Sequence, residues 1–337
     1  MRVLVTGAGG FLGSHVIPAL LQRGDEIVAC DVLTPDQATR LRPVMNRIKY
    51  KWMSVVDLDD YDIAINEDID QIIHLSGVTD VPLANSSPKY TFQLNVDAAL
   101  ALFIAAKPAD IPVLAMSTEN VYGAVPPERL PATEDEPSRP KNSYAASKVA
   151  MEAIGHWVAV QGHVPVTILR SSTLFGPRMR TKQIVAIFTR QALEGEPITI
   201  EGDGLQTRDF NYVDNMVGAI LKVTQLQQLS EHERLRGFHV YNIGSGVEMS
   251  VLDLVRKIIQ LTKSKSDVIF KEWRPGEEGR LCVSIEKARK ELGYEPQISV
   301  EEGLQRLIAY LQLEKMPGNF PFEKSDAKGW DKAGLPS

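Results

Sequence analysis

Short runs of β-branched and other apolar residues recur along the first half of the chain and predict strands at 2–6, 26–30, 48–53, 71–75, 111–117 and 164–170. Between several of them, apolar residues recur at helical spacing, over 11–22, near 92–107 and over 142–160. Because parallel neighbours in a sheet need long crossover connections, alternating strands and helices indicate a parallel sheet with helices on both faces. The pattern therefore predicts an α/β protein.

After about residue 175 the pattern loosens into predicted helices at 181–194, 214–228, 250–262 and 300–313, with short strands near 197–200 and 239–243. We interpret this part as a smaller C-terminal α/β domain that is partly interleaved with the first. The predicted division is 1–175, with returning segments from about 205–245, and then 176–314. Residues 315–337 are rich in Gly, Pro and Lys and predict a tail.

A glycine-rich turn, TGAGGFLG at 6–13, lies where the first strand gives way to the first helix. The free N–H groups and the positive dipole at a helix N-terminus bind anions. Gly7, Gly10 and Gly13 would let the backbone turn tightly and approach a phosphate, with Phe11 and Leu12 in the same turn. The alternative is an ordinary tight turn, but this context favours a site for a dinucleotide pyrophosphate.

An acidic residue, Asp31, ends the second predicted strand at about the distance from the glycines that dinucleotide-binding folds use. A carboxylate there accepts hydrogen bonds from a ribose diol and repels a 2′-phosphate. The sequence therefore predicts NAD rather than NADP as the cofactor, against the simpler interpretation of a surface aspartate.

A tyrosine and a lysine, Tyr144 and Lys148, lie four residues apart and hence on one face of the helix predicted over 142–160. A phenol with a pKa near 10 is a poor base, but a nearby ammonium should lower that pKa. The pair is then suited to taking a proton from a substrate hydroxyl. Thr118 follows the strand predicted over 111–117, which would bring its hydroxyl to the mouth of the sheet. Alone, the Tyr–Lys spacing would also fit a surface pair.

Composition narrows the function class. The 337 residues carry a formal net charge of −6, which disfavours a broad nucleic-acid surface, and the basic stretch that begins at Arg40 is expected to be a solvated loop. Cys30 and Cys282 are expected to be buried free thiols in a reducing cytosol. We expect a soluble, cytoplasmic protein with no membrane segment, no nucleic-acid partner and no metal, and a packed, noncatalytic His74.

Seven motifs, in this order, resemble the extended short-chain dehydrogenases/reductases of the NAD-dependent epimerase/dehydratase type: TGAGGFLG, HLSGV, LNVDAAL, STENVYG, SYAASK, LFGPR and QTRDFNYVD. The resemblance covers roughly residues 1–312. It implies a Rossmann-type, doubly wound parallel sheet that holds NAD and a smaller domain for a nucleoside-diphosphate sugar. It also implies a homodimer formed through the helices near 92–107 and 142–160.

The resemblance also implies roles for individual residues. Thr118, Tyr144 and Lys148 match the catalytic residues, and the matched cofactor positions are Gly7, Gly10, Phe11, Leu12, Gly13, Asp31, Asp57, Leu58, Leu75 and Asn95. Asp57 and Asn95 could instead form caps or turns. Arg208 and Arg274 match the arginines for the sugar-nucleotide diphosphate, with an internal ion pair as the alternative for each.

The choice among the family's reactions depends on residues near Thr118. The shared first step is oxidation of a sugar C4 hydroxyl to a ketone. Glu119 stands where dehydratases of the family have an aspartate, but without the glutamate that follows it there. Asn120 replaces the glutamate of UDP-glucuronate decarboxylases, and an amide is no acid or base at neutral pH. This leaves 4-epimerisation as the predicted reaction.

Two further positions, Thr173 and Arg180, resemble UDP-glucuronate 4-epimerases and suit a C6 carboxylate. The predicted reaction is conversion of UDP-glucuronate to UDP-galacturonate, with Thr118, Glu119, Asn120, Thr173, Arg180, Arg208 and Arg274 as substrate-binding residues. The alternatives are a UDP-hexose 4-epimerase, a 4,6-dehydratase or decarboxylase, a net oxidoreductase and a noncatalytic NAD-binding regulator.

Overall fold

The computed structural model describes residues 1–53, 56, 68–162, 164–228, 235–273 and 279–314. Its strands are β1 (Arg2–Thr6), β2 (Glu26–Asp31), β3 (Lys49–Trp52), β4 (Gln71–His74), β5 (Val113–Thr118), β6 (Val166–Ser171), β7 (Thr173–Phe175), β8 (Ile198–Glu201), β9 (Thr207–Tyr212), β10 (Phe238–Ile243), β11 (Glu248–Ser250) and β12 (Val268–Lys271).

The α-helices are α1 (Gly13–Arg23), α2 (Val81–Ser86), α3 (Pro88–Phe92), α4 (Ala98–Ala106), α5 (Ser143–Gly162), α6 (Ile184–Glu194), α7 (Val213–Leu226), α8 (Val251–Thr262), α9 (Glu286–Leu292) and α10 (Val300–Glu314). A π-helix, Gln93–Asp97, joins α3 to α4. Short 3₁₀ helices lie at Thr39–Arg47, Lys107–Ala109, Glu119–Tyr122 and Pro127–Arg129.

Seven strands form the central sheet in the order β3-β2-β1-β4-β5-β6-β10, and every pairing is parallel. The chain runs outward in one direction from β1 to β3 and in the other from β4 onward, so the order reverses between β1 and β4. Ligands of doubly wound sheets bind outside the carboxyl ends of the strands at such a reversal. The prediction of a Rossmann-type α/β fold is confirmed.

Two apolar cores cover the two faces of this sheet. On one face, residues of α1 and α7 pack with β1 and β2, including Ile17, Leu20, Met216 and Ile220. On the other, residues of α4 and α5 pack with β4 to β6, including Leu102 and Met151. The sheet is therefore buried from both sides, as its near-continuous apolar strands predicted.

The remaining strands form a three-stranded sheet, β11-β9-β7, and a pair, β12-β8. They share a third core with α6, α8 and α10, in which Phe188, Phe210 and Leu254 are buried. The chain enters this part after β6, returns to the large sheet at β10 and leaves again at β11. The predicted tail at 315–337 lies outside the described residues. Within the described part of the chain, no helix combines the length and the apolar character that a bilayer crossing needs.

Candidate active site

The glycine turn lies at the carboxyl end of β1 and is closely packed. Gly7 has φ +66, and a Cβ atom on it would come within 2.7 Å of the backbone nitrogen of Ser76. A Cβ on Gly13 would lie 2.4 Å from the carbonyl oxygen of Ala8. The Gly10 N–H donates to the Gly7 carbonyl at 3.0 Å, which closes the turn. These positions need glycine because side chains there would collide with backbone.

Asp31 ends β2 beside this turn and is buried. Its carboxylate accepts hydrogen bonds from the Gly9 N–H at 2.8 Å and the Leu33 N–H at 3.0 Å. Burial raises the pKa of Asp31, while these backbone donors and the charge of Arg40 act in the opposite direction. The carboxylate therefore lies where a ribose next to the phosphate-binding turn would meet it.

The expectation of a solvated loop at Arg40 is wrong for that residue. The segment folds as the 3₁₀ helix Thr39–Arg47, in which Arg40, Leu41 and Val44 are buried. The Arg40 Nε donates to the carbonyl oxygen of Arg178 at 3.1 Å. Basic and apolar residues alternate in this segment, so the sequence did not indicate that one face of it is buried. Arg40 can be buried there because it interacts with a backbone carbonyl and with the charge of Asp31.

One cavity of about 360 Å³ brings most of the predicted site residues together. Its lining includes Gly7, Gly10, Phe11, Leu12, Gly13, Asp31, Leu75, Thr118, Asn120, Tyr144, Lys148, Thr173 and Arg180. The glycine turn, the ends of β4 and β5, the start of α5 and the chain after β6 thus face a common space.

The sequence did not predict several other lining residues: Arg40, Ser76, Gly77, Thr79, Tyr90, Leu94, Met116, Ser117, Ser171, Ser172 and Gln183. Most lie at or just after the carboxyl ends of β4, β5 and β6, so the rule that ligands bind beyond the carboxyl ends of parallel strands could have indicated them. Tyr90 and Leu94 come from α3 and the π-helix, and no local pattern marks them.

The Thr118 hydroxyl is fixed by the residues after it. Its Oγ1 accepts from the Asn120 backbone N–H at 3.2 Å and from the Asn120 side-chain amide at 3.1 Å. Its own proton is then available for Tyr144, whose pKa a hydrogen bond with Thr118 lowers. The two hydrogen bonds from Asn120 therefore orient Thr118 so that its own proton can be donated to the Tyr144 phenol.

The expected effect of Lys148 on Tyr144 does not occur in this structure. Burial raises the pKa of Tyr144 to about 12, opposed by the Thr118 hydrogen bond and the charge of Arg180 and reinforced by Glu119. Lys148 instead donates to the carbonyl oxygen of Met116 at 2.9 Å. Four-residue spacing brought both side chains into the cavity, but the lysine meets a backbone acceptor rather than the phenol.

Lys148 is buried, and this lowers its pKa to about 8, while the charge of Glu152 acts to raise that pKa. Glu152 also receives Arg170 Nη2 at 2.6 Å and the Ser117 hydroxyl at 2.5 Å. The carboxylate thus joins β5 and β6 to α5 directly beneath the lysine. This network stabilises the charged form of a buried amine.

Asn95, buried in the π-helix, contacts the loop after β4 rather than the cavity. Its Oδ1 accepts from the Val78 N–H at 2.7 Å, and its Nδ2 donates to the Val78 carbonyl at 3.0 Å and the Ser147 hydroxyl at 2.9 Å. A Cβ on Gly77 would lie 2.5 Å from Oδ1. Asn95 therefore holds the Gly77 loop against α5, a structural role that the sequence left open.

Glu119 is buried and is not part of the cavity lining, whereas its neighbours Thr118 and Asn120 are. The Thr173 hydroxyl, on the cavity wall, lies 3.3 Å from Glu119 Oε1. Arg208 is on β9 outside the lining, donates to the Thr207 carbonyl at 2.8 Å, and lowers the pKa of Glu119. Contact of the substrate with Glu119, Arg180 and Arg208 remains a prediction.

The predicted sites at Asp57, Leu58 and Arg274 lie outside the described residues. His74 is buried as predicted, with its Nδ1 2.8 Å from the Thr6 hydroxyl, and burial lowers its pKa to about 3. A neutral imidazole in the sheet fits a packed, noncatalytic residue. Cys30 and Cys282 are buried, and neither forms a disulfide among the residues that the structure describes.

Sequence comparison places this site in a known group. The sequence model of the NAD dependent epimerase/dehydratase family matches residues 3–244. A low-salt glycan biosynthesis protein of Haloferax volcanii is 31% identical over 92% of this chain and 98% of its own length. UDP-glucuronic acid decarboxylase 1 of Xenopus tropicalis is 31% identical over 93% of this chain and 72% of its own length.

Two solved structures superpose closely. A UDP-glucose 4-epimerase of Thermotoga maritima, with UDP-glucose, gives a TM-score of 0.85 at 27% identity and covers 93% of this chain and 99% of its own. A UDP-glucuronic acid 4-epimerase of Bacillus cereus, in complex with UDP-glucuronic acid and NAD, gives a TM-score of 0.84 at 28% identity. It covers 93% of this chain and 99% of its own.

Proposed function

This chain belongs to the NAD-dependent epimerase/dehydratase family, and from that premise we propose that it interconverts UDP-glucuronate and UDP-galacturonate by 4-epimerisation. The carrying observation is the single cavity that joins the glycine turn to Thr118, Tyr144 and Lys148. A site for a dinucleotide and a candidate proton acceptor share one space, which a binding regulator would not require. Family membership also makes the chain an enzyme.

The cavity fits NAD. Gly7 and Gly13 leave room at the turn that any Cβ would fill, and Asp31 offers a carboxylate beside it. We assign the pyrophosphate to the turn and the adenosine ribose to Asp31, with Leu75 and Lys148 toward the reacting end. When bound, the nicotinamide would accept a hydride from sugar C4 and return it.

The protein's own residues handle the proton. Tyr144 would take the C4 hydroxyl proton and later return it to the 4-keto sugar, and the Thr118 hydroxyl stabilises the phenolate. The charge of Arg180 favours the same anion, and we assign Lys148 to the reacting end of the bound cofactor rather than to the phenol. Turning the keto sugar over in the cavity would expose its other face, which reverses the configuration at C4.

The arrangement near Thr118 supports epimerisation over the family's other reactions. The amide of Asn120 donates to Thr118, so it is held as a donor and offers no acid or base. Glu119 is buried behind Thr173 and does not line the cavity, so Thr173 lies between its carboxyl group and a leaving hydroxyl at C6. Dehydration and decarboxylation therefore lack their proton donors here.

Thr173 and Arg180 support a uronate substrate. Both line the cavity with Tyr144, and a hydroxyl with a guanidinium can bind a carboxylate by charge-assisted hydrogen bonds. We further assign Arg208 and Arg274 to the diphosphate. The second candidate is a UDP-hexose 4-epimerase, and the Thermotoga maritima UDP-glucose 4-epimerase similarity favours it.

We also propose a homodimer. Large apolar side chains are exposed on α3, α4 and α5, namely Phe92, Ile104, Trp157 and Val160. The opposite sides of α4 and α5 pack on the sheet. Pairing these exposed faces with those of a second copy would cover them in a four-helix contact.

The test is turnover of the purified protein with added NAD, followed by NMR, with UDP-glucuronate and UDP-glucose offered separately. We expect UDP-galacturonate from UDP-glucuronate without loss of CO₂ and without net formation of reduced cofactor. Faster turnover of UDP-glucose, or a pentose product, would contradict the proposal.

A further inference from the structure

A carboxyl group lies directly behind the cavity wall at Thr173. Glu119 begins the 3₁₀ turn Glu119–Tyr122 after β5, and its side chain is only 3% exposed. Its Oε1 lies 3.3 Å from the Thr173 Oγ1. Thr173 lines the cavity and Glu119 does not, so Thr173 lies between the Glu119 carboxyl group and a bound ligand.

The second oxygen of this carboxyl group, Oε2, is fully buried and has no hydrogen-bond partner within the described part of the chain. A buried carboxylate needs donors on both oxygens, because a charge taken from water without them is very costly. A carboxylic acid with one proton fits this setting better than an anion.

Burial and the charge of a neighbouring residue also favour the neutral form of Glu119. Burial and the charge of Asp209 raise the pKa of Glu119 well above its usual value, and Arg208 and Thr173 oppose this in part. Asp209 itself accepts from the Ser245 N–H at 2.8 Å, the Ser245 hydroxyl at 2.6 Å and the Gly246 N–H at 3.1 Å. Burial raises the pKa of Asp209 as well, but these three donors act to lower it and stabilise its anion, and two neighbouring carboxyl groups resist ionising together.

The state of Glu119 decides what Thr173 can offer a ligand. A hydroxyl has one proton. Beside an anionic Glu119, Thr173 would donate to it and present only lone pairs to the cavity. Beside a protonated Glu119, Thr173 accepts from the acid and keeps its own proton for the cavity.

We propose that Glu119 is a positioning residue that works as a neutral carboxylic acid, donates to Thr173, and so makes the Thr173 hydroxyl a donor toward a carboxylate on the bound sugar. The uronate identity of that sugar rests on the proposed function. A second consequence is that no negative charge of Glu119 opposes the sugar carboxylate.

This arrangement links sugar selection to pH. Below the pKa of Glu119 the site favours a carboxylate, and as pH rises through that pKa this preference falls. A hydroxymethyl group can donate or accept, so a neutral sugar responds little. Of the other groups that interact with Glu119, Arg208 stays charged, and Cys282 and Tyr144 have pKa values of about 12. Burial raises the pKa of Asp209 and its three donors act to lower it, so Asp209 is the second carboxyl group to which the pH dependence is compared.

The experiment measures binding, since turnover also depends on Tyr144 and Lys148. Calorimetric Kd values for UDP-glucuronate and UDP-glucose would be compared from pH 5.5 to 9 on the NAD-loaded Tyr144→Phe protein. To this background we add Glu119→Gln, whose neutral amide can donate at every pH. The matched pair Thr173→Val and Thr173→Ser removes and retains the hydroxyl.

With Glu119 present, we expect the preference for UDP-glucuronate to fall about tenfold or more as pH rises, the scale of a lost hydrogen bond to a charged group. Glu119→Gln should keep the preference and make it independent of pH. Thr173→Val should lose it at every pH, and Thr173→Ser should restore both the preference and its pH dependence. If Glu119→Gln does not fold, the two Thr173 variants still give a decisive comparison.

The proposal is overturned if UDP-glucuronate binds and its preference changes with pH identically in the Glu119→Gln variant, or if Thr173→Val retains the dependence. The proposed function fails separately: UDP-glucuronate would then not bind at any pH while UDP-glucose does, and this inference would fall with it.

Discussion

The Tyr144 phenol, the Thr118 hydroxyl and the Lys148 ammonium occupy one wall of the cavity, and each meets a different partner. Thr118 is oriented by Asn120, Lys148 by the Met116 carbonyl, and Tyr144 by Thr118. At the scale of single residues, the proposed mechanism therefore depends on a phenol whose pKa the protein alone raises to about 12. A neighbouring positive charge must lower the pKa of Tyr144 further before the phenolate can form.

Tyr144→Phe should remove nearly all turnover and leave nucleotide-sugar binding largely intact, because it deletes only the hydroxyl that accepts the proton. NMR turnover and calorimetric binding would check this. Tyr241→Phe is the matched control, since its hydroxyl contacts Glu291 at 2.9 Å and lies outside the cavity lining. Retained turnover in Tyr144→Phe would mean that the base is another group.

Arg180→Ala should lower kcat/KM for UDP-glucuronate by roughly ten- to a hundredfold, because a charge-assisted hydrogen bond contributes about 1.5–3 kcal/mol. Arg180 also lowers the pKa of Tyr144, so kcat should fall on UDP-glucose too, while only the uronate should show the increase in KM. Arg180→Lys, which keeps the charge without the guanidinium fork, should recover kcat more than KM. An equal loss on both sugars would make Arg180 a general rather than a uronate-selective residue.

Asp31 should make the protein bind NAD more tightly than NADP, because a 2′-phosphate would face its carboxylate. Asp31→Asn should narrow the difference, because it removes the negative charge that would repel the 2′-phosphate and keeps the positive charge of Arg40 nearby. Titration of both dinucleotides by intrinsic fluorescence gives the ratio. Equal affinities in the unmodified protein would contradict the assignment of Asp31.

Single residues also show where sequence reasoning stops. Gly7, Asp31, Tyr144 and Lys148 were predictable because strand–turn–helix chemistry and helical spacing are local. Glu119 was predicted to bind substrate, yet it points behind the cavity, because residues that follow a strand in a 3₁₀ turn can face either way. The burial of such a side chain depends on packing against distant strands.

At the scale of elements, helix α5 carries the chemistry on a fixed spacing. Tyr144, Lys148 and Glu152 recur every four residues, so the base, the lysine and its counter-charge share one face. Arg170 on β6 pairs with Glu152 at 2.6 Å and anchors that face to the sheet. The helix is therefore positioned by the same ion pair that tunes its lysine.

Turnover should fall on the alkaline side as Lys148 loses its proton, since its pKa is about 8. Glu152→Gln should move this limb to lower pH, because removing the carboxylate removes a charge that raises the pKa of Lys148. It should also lower Tm, as breaking a buried pair costs about 3–5 kcal/mol. A pH–rate profile with a thermal melt tests both. An unshifted limb in a folded variant would exclude Lys148 as its source.

The strands of the central sheet and the longer helices followed from the sequence pattern, and several other elements did not. The seven strands of the central sheet and helices α1, α5, α7 and α8 lie within a few residues of their predicted positions. Strands β7, β9, β11 and β12 were missed, because their pairing is set by distant partners rather than by a local pattern. Helices α2 and α9, with six and seven residues, are too short to show a helical period.

At the scale of the whole molecule, three apolar cores surround one shared cavity, and the proposed dimer sets a second copy of the chain against α4 and α5. The chain crosses between the two parts at β7, β10 and β11, which places Thr173 and Arg180 next to the cofactor-binding turn. Such long-range placement follows from topology, which the family resemblance supplied and the local pattern did not.

The dimer proposal predicts a mass of two chains by light scattering at micromolar concentration. Trp157→Glu with Val160→Glu should give a monomer, because two charges would enter an apolar contact. Phe270→Glu, on β12 and similarly exposed, should remain dimeric. A monomeric unmodified protein would contradict the proposal.

The most direct measurement of the central claim is the ratio of kcat/KM for UDP-glucuronate to that for UDP-glucose, with the products identified by NMR. The account predicts a ratio well above one, with UDP-galacturonate formed and the carboxyl carbon retained. A ratio below one, or release of CO₂, would contradict it.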